Sequence, residues 1–375
     1  MIQRNLQSVL TGFIGKGKAL LLIGARQVGK STLFKQITDT LADEVLWLNC
    51  DQEEARSVLS DQSLNTLKLL LGDYKVIVID EAQRVTNIGL TLKLITDNFP
   101  DKQLLVTGSS SLDLHNHLNE PLTGRKLEYY LYPISVSEIY KNKGLIATKE
   151  LLPHQLIYGT YPDVLFSSLP PEKTLQELTD SYLYKDILEI EGIRKSAVLS
   201  KLLVALAMQI GSEVSYNELA KTVGIDSKTV EKYIDILEKC FIVFRLSSFS
   251  RNIRTELNKS KKIYFYDLGI RNAVLNMFAP IDYRQDIGAL WENFFIVERL
   301  KFNHYADRVV NTYFWRTTEK QEIDYIEERN GELHLFELKW NVNKKNTKFP
   351  NQFIQTYQPN STVVVTPENY LEFLI

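Results

Sequence analysis

The run Gly24-Ala25-Arg26-Gln27-Val28-Gly29-Lys30-Ser31 constrains this chain more than any other stretch, because it matches G-x-x-x-x-G-K-[ST] at every fixed position. It directly follows a short apolar run at 19–23 and directly precedes an amphipathic stretch at 32–38, the strand, loop and helix context that the motif needs. Glycines let such a backbone fold around a phosphate with its N–H groups turned inward, and the helix that follows adds the positive end of its dipole. In this reading residues 24–31 and Thr32 cradle ATP, Lys30 reaches the β and γ phosphates, and Ser31 holds Mg2+. The competing reading is a glycine-rich turn between a strand and a helix with no ligand at all.

A second signal stands at 76–81, where Val76-Ile77-Val78-Ile79 ends in Asp80-Glu81. Carboxylates at the tip of a buried strand are costly unless they have a partner or a task. Asp80 is placed to accept Mg2+ through water, and Glu81 to orient and deprotonate an attacking water. Ser109, after the next apolar run, sits where a hydroxyl can sense the γ-phosphate, with Thr107 as the alternative. Arg125 precedes a fifth run, where a cation can either enter a neighbouring subunit's site and stabilise transition-state charge or remain a solvated arginine in a turn.

These runs, at 19–23, 45–48, 76–79, 104–106 and 127–131, alternate with amphipathic stretches and predict buried strands of a parallel sheet with crossover helices. With 375 residues the chain has room for further domains, and the pattern divides it into four parts. They are a P-loop domain at 1–140, a helical lid or linker at 141–195, a winged helix-turn-helix at 196–287, and an α/β domain at 288–375. A hydrophobic content of 44% and a charged content of 24% exclude a disordered chain. The formal charge of −2 gives no global attraction to nucleic acid or to an anionic membrane, so either partner would need a local patch. Cys50 and Cys240 lie far apart without C-x-x-C spacing, which argues against a disulfide scaffold or a cysteine zinc site. No secretory leader pattern and no run of 18 apolar residues is visible, and the expectation is a cytoplasmic protein with no membrane partner.

Gly24 to Ser31, the run Asp80-Glu81-Ala82-Gln83, Thr107-Gly108-Ser109, and the stretch from Gly124-Arg125 to Pro133-Ile134-Ser135 together resemble the archaeal-type branch of the AAA+ ATPases. The whole chain is similar to prokaryotic proteins in which that ATPase domain precedes a C-terminal domain of unknown function. The resemblance implies ATP hydrolysis, an arginine finger at Arg125 and hence a homo-oligomer. The family's second sensing arginine, after the lid, has no matching position here.

Residues 215–239 read as two helices with a turn at Gly224-Ile225: Ser215 caps the first, and Asp226 or Ser227 caps a second that carries Lys228, Lys232 and Lys239. Strands at 241–246 and 263–266 would follow as a wing, with Arg251, Arg254, Lys259, Lys261 and Lys262 facing phosphates. DNA contact through 215–262 competes with a protein-contact role, because Glu231, Asp235 and Glu238 share the second helix and repel phosphate.

In the C-terminal part, Asp324 and the run Glu337-Leu338-Lys339 fall on two strands joined by a hairpin at Asn330-Gly331. Strand alternation puts Glu337 and Lys339 on one face, and Glu292 on the preceding helix supplies a further carboxylate. Carboxylates of this kind can hold magnesium while a lysine positions water against a phosphodiester. Glu292, Asp324, Glu337 and Lys339 resemble the site of the PD-(D/E)xK nuclease superfamily, which implies a second metal site and a C-terminal domain that engages DNA. Three functions follow as expectations: an ATPase whose nucleotide state controls DNA engagement, a magnesium-dependent endonuclease regulated by ATP, or a slow ATP switch that contacts a protein.

Overall fold

The computed structural model describes residues 2–41, 44–109, 122–180, 196–251, 260–344 and 347–375. Two compact units emerge, one formed by Met1–Pro133 with Lys239–Phe241 and one by Ile134–Glu238 with Ile242–Ile375.

In the first unit, five strands form a wholly parallel sheet: β1 (Ala19–Ile23), β2 (Val45–Asn49), β3 (Val76–Asp80), β4 (Gln103–Gly108) and β5 (Lys126–Tyr130). Their spatial order is β2-β3-β4-β1-β5. The three inner strands β3, β4 and β1 are covered on both faces, as continuous apolar runs in a parallel sheet require. The expectation that all five are buried needs correction for β2 and β5, which are the sheet edges and only partly covered, with Trp47 39% exposed. An apolar run names a strand without naming its place in the sheet. The carboxyl ends of the three inner strands carry Gly24, Asp80 with Glu81, and Ser109, so the sheet order itself brings those loops to one edge.

The second unit opens with helices Val136–Glu150, Leu152–Tyr158, Pro162–Phe166 and Pro171–Thr179; the rest of the expected helical region, 181–195, lies outside the described residues. Ser135 and Glu138 form a reciprocal capping box at the first of these helices. Helices Tyr216–Val223 and Ser227–Lys239 lie as the sequence pattern predicts. Ser215 accepts from the Glu218 amide, Gly224 ends the first helix with φ at 81°, and Asp226, not Ser227, caps the second by accepting from the Thr229 amide.

The described residues of this unit also hold seven strands, β6 (Glu213–Val214), β7 (Val243–Ser248), β8 (Lys261–Phe265), β9 (Asn311–Arg316), β10 (Glu322–Arg329), β11 (Glu332–Leu338) and β12 (Ser361–Val365). They make one mixed sheet in the order β12-β11-β10-β9-β7-β8-β6. Strand β7 pairs with β8 and also runs parallel to β9, joining at Ser247 to Tyr313 and Ser248 to Phe314. The strands expected as a wing, β7 and β8, are interior to a larger sheet, and the boundary expected at 287/288 falls between strands that share it. Helix Ile287–Tyr305 packs Trp291, Phe295 and neighbouring side chains into a core that also holds Phe244, Tyr264, Phe336 and Tyr370. Asn330 and Gly331 both take positive φ, 52° and 82°, as the two-residue turn between β10 and β11 requires.

Candidate functional site

The loop after β1 takes its shape from alternating backbone signs and close packing. Gln27 and Gly29 adopt left-handed φ values of 58° and 95°, which turn successive amides into a concave, anion-accepting arrangement. Gly24 is required by contact: a Cβ there would stand 2.2 Å from the Leu131 carbonyl oxygen. Arg4 adds a brace, donating to the Val28 carbonyl at 2.7 Å and to the Tyr132 carbonyl at 2.5 Å. Ala25 and Val28 are buried, Arg26 is half-buried, and Gln27 and Thr32 are exposed.

Lys30 opens helix Lys30–Thr38 and is only 5% exposed, with Nζ donating to the Gly24 and Ala25 carbonyls at 3.0 and 2.8 Å. Burial pushes its pKa down to about 8, against the pull of the Glu81 and Asp80 carboxylates. Ser31 Oγ lies 2.9 and 2.8 Å from the two Asp80 carboxylate oxygens. A hydroxyl and a carboxylate this close form a hard-oxygen donor set suited to magnesium.

Thr107 donates to Asp80 and accepts from the Glu81 amide at 3.0 Å, so it is committed to holding the end of β3. Ser109 instead accepts from the Gln83 side-chain amide at 2.8 Å. The same Gln83 nitrogen donates to Glu81 Oε2 at 2.5 Å. Gln83 stands in the run Asp80-Glu81-Ala82-Gln83, but no local pattern marks it as functional, because the turn that folds it back onto Glu81 and Ser109 is a tertiary fact. Arg4, far upstream of the loop, had no sequence signal.

Arg125 stands apart from this group. Its carbonyl accepts from the amide of Ala19, the first residue of β1, so it lies at the amino end of the sheet. The loop at 24–31 leaves the carboxyl end, roughly 16 Å away over a five-residue strand. Arg125 pairs with Asp97 at 2.5 Å.

In the second unit the hairpin brings Asp324, Glu337 and Lys339 together. Lys339 Nζ is 2.7 Å from Glu337 and 3.3 Å from Asp324, and Asp324 also accepts from the Leu338 amide at 2.7 Å. Burial, reinforced by the Asp324 charge, pushes the Glu337 carboxyl up to about 7, and one of its oxygens is buried with no hydrogen-bond partner. Glu292 does not complete a metal cluster with them. Lys262, 1% exposed, pairs with Glu292 at 2.9 Å and Glu322 at 2.6 Å, and the Tyr264 hydroxyl donates to Glu292 at 2.5 Å. Among the described residues no three His, Cys, Asp or Glu side chains are grouped to hold a metal ion. The buried ammonium supplies the positive charge that Glu292 was expected to share with a metal.

The same observation corrects the basic wing. Lys262 is an interior ion-pair partner, Lys261 lies over the Tyr216 ring, and Arg254 and Lys259 lie outside the described residues. Arg245 of β7 pairs with both Asp235 and Glu238 of helix Ser227–Lys239, which offsets two of the three carboxylates that oppose phosphate. Lys228 and Lys232 are exposed there. Among the described residues no helix is long and apolar enough to cross a membrane.

Residues 16–140 match the family described as an AAA domain, while 149–280 and 287–373 match two domains of unknown function, DUF8612 and DUF4143. An uncharacterized protein of Mycobacterium tuberculosis is 26% identical over 351 residues, spanning 90% of this chain and 74% of that protein. An uncharacterized protein of Haemophilus influenzae is 23% identical over 370 residues, spanning 93% and 89%. Among solved structures, the Thermotoga maritima RuvB Holliday junction branch migration motor is 17% identical, covering 65% of this chain and 90% of that one at a TM-score of 0.33. A signal transduction ATPase with numerous domains from Pyrococcus horikoshii is 12% identical, covering 82% and 48% at 0.31. Over residues 16–140, with its parallel five-stranded sheet, the chain is similar to AAA-type ATPase domains.

Proposed function

We propose that the protein binds ATP with magnesium at residues 24–32 and hydrolyses it, and that its nucleotide state governs DNA engagement by residues 215–262 and the C-terminal domain. The observation that carries the first part is the Ser31 hydroxyl set against both oxygens of Asp80, beside a lysine buried within a loop of inward-turned amides.

In this reading the loop amides and Lys30 bind the β and γ phosphates, Lys30 giving up its contacts to the Gly24 and Ala25 carbonyls. Magnesium held by Ser31 and, through water, by Asp80 would offset charge on the phosphate oxygens. Glu81 accepts the proton of the attacking water, whose oxygen bonds to the γ-phosphorus as the bond to the β–γ bridging oxygen breaks. Ser109 senses the γ-phosphate. Arg125, at the far end of its own sheet, serves a neighbouring copy in a homo-oligomer. DNA contact is supported by exposed Lys228 and Lys232 on a helix whose Asp235 and Glu238 are already paired.

The test is ATP binding and turnover by Lys30→Ala. We expect loss of both, with the fold retained by circular dichroism; turnover at the native rate would refute the proposal.

A second reading, a magnesium-dependent endonuclease regulated by ATP, is favoured by one observation, the meeting of Asp324, Glu337 and Lys339 around a buried carboxylate oxygen. A third, a slow switch that contacts a protein, would use the same helix Ser227–Lys239 without DNA.

A further inference from the structure

Glu81 begins an unusual turn. Its φ is 55°, in the left-handed region, and the 3-10 turn Ala82–Arg84 follows, closed by the Arg84 amide donating to the Glu81 carbonyl at 3.1 Å. That reversal carries Gln83 back toward the side chain of Glu81, two residues earlier. Both ends of the Gln83 carboxamide are then used. Nε2 donates to Glu81 Oε2 at 2.5 Å and to Ser109 Oγ at 2.8 Å, while Oε1 accepts from the Ser109 amide at 3.4 Å. The chemistry fixes this orientation, because the reversed amide would set its oxygen against a carboxylate oxygen.

We propose that Gln83 is a positioning residue for hydrolysis, tying the water-activating carboxylate of Glu81 to the phosphate-sensing hydroxyl of Ser109. The inference rests on the roles proposed above for those two residues. A serine hydroxyl has one proton and two lone pairs. With one lone pair taken by Gln83, its proton is available to a phosphate oxygen. A carboxylate has two oxygens, and Gln83 holds Oε2, leaving Oε1 to take the proton of water. Gln83 itself neither gains nor loses a proton. It fixes the distance between the group that reads the γ-phosphate and the group that attacks it through water, so that the two act as one unit. A side chain one methylene shorter could not span both partners.

The experiment measures kcat for ATP hydrolysis alongside the equilibrium affinity for a fluorescent nonhydrolysable ATP analogue with magnesium, in native protein, Gln83→Ala, Gln83→Asn and the isosteric Gln83→Glu. We expect kcat to fall roughly tenfold or more in all three variants, with analogue affinity within about twofold of native, since positioning acts on the transition state rather than on ground-state binding. Retained affinity also reports that the loop is folded. Combining Gln83→Ala with Ser109→Ala should slow turnover little beyond the slower single variant, as for residues acting as a unit. A Gln83→Ala rate within twofold of native, or a loss of affinity parallel to the loss of rate, overturns this inference while leaving the ATPase reading in place. Absence of turnover in the native protein overturns both.

Discussion

Lys30 carries a charge into a site where water scarcely reaches, and its two hydrogen bonds go to neutral carbonyls. Its folded pKa, about 8, lies below the ordinary lysine value of 10.5. The folded chain therefore releases this proton more readily than the unfolded chain does, so stability rises as pH climbs from about 8 toward 10.5 and the charged form is penalised at neutral pH. Lys30→Met keeps the apolar stem and removes the charge. In nucleotide-free protein we expect it to raise stability by up to about 3 kcal/mol at pH 7, with the gain shrinking as pH rises past 8. Urea unfolding at pH 7 and pH 9.5 checks this; an unchanged or lower midpoint at pH 7 contradicts it. The price of a ligand-ready lysine is then visible as lost stability in the free protein.

At the scale of elements, strands β10 and β11 bring Asp324 beside Glu337 and beside Lys339, the residue just past β11, while β8 delivers Lys262 to Glu292. A buried ammonium already paired with two carboxylates weakens the case for a metal there, since breaking such a pair is costly. We accordingly expect supercoiled plasmid incubated with native protein and magnesium to remain intact. Cleavage by the native protein, abolished in Glu337→Ala, would move the endonuclease reading to first place. This contrast marks what the sequence could tell. The hairpin at Asn330-Gly331 and the facing of Glu337 and Lys339 follow from local turn chemistry and strand alternation, and both were legible. The capture of Glu292 by Lys262 was not, because the two residues meet only where helix Ile287–Tyr305 packs on β8, its Asn293 bonded to the Phe265 backbone, a long-range contact that no local pattern encodes. In the first unit the loop at 24–31 and the acids at 80–81 were legible from motif and context, whereas Gln83 and Arg4 depended on a reversed turn and a distant segment.

At the scale of the whole molecule, a net charge of −2 means that any DNA affinity must come from a local face. If Lys228 and Lys232 supply it, binding to a short duplex should fall roughly tenfold or more between about 50 and 200 mM salt, as phosphate contacts release counterions. It should weaken further in Lys228→Glu and Lys232→Glu, and differ between the ADP-bound and ATP-analogue-bound protein. Fluorescence anisotropy over a salt series checks this, and negligible, salt-independent binding would favour the protein-contacting switch. One structural detail bears on how such a state could be transmitted. Arg4 and Gly24 leave the phosphate loop no slack against residues 131–132, the last stretch of chain before the first unit ends at Pro133. Any movement that a bound triphosphate imposes on the loop would therefore reach the polypeptide on its way out through a single guanidinium and one close backbone contact, a short mechanical tether.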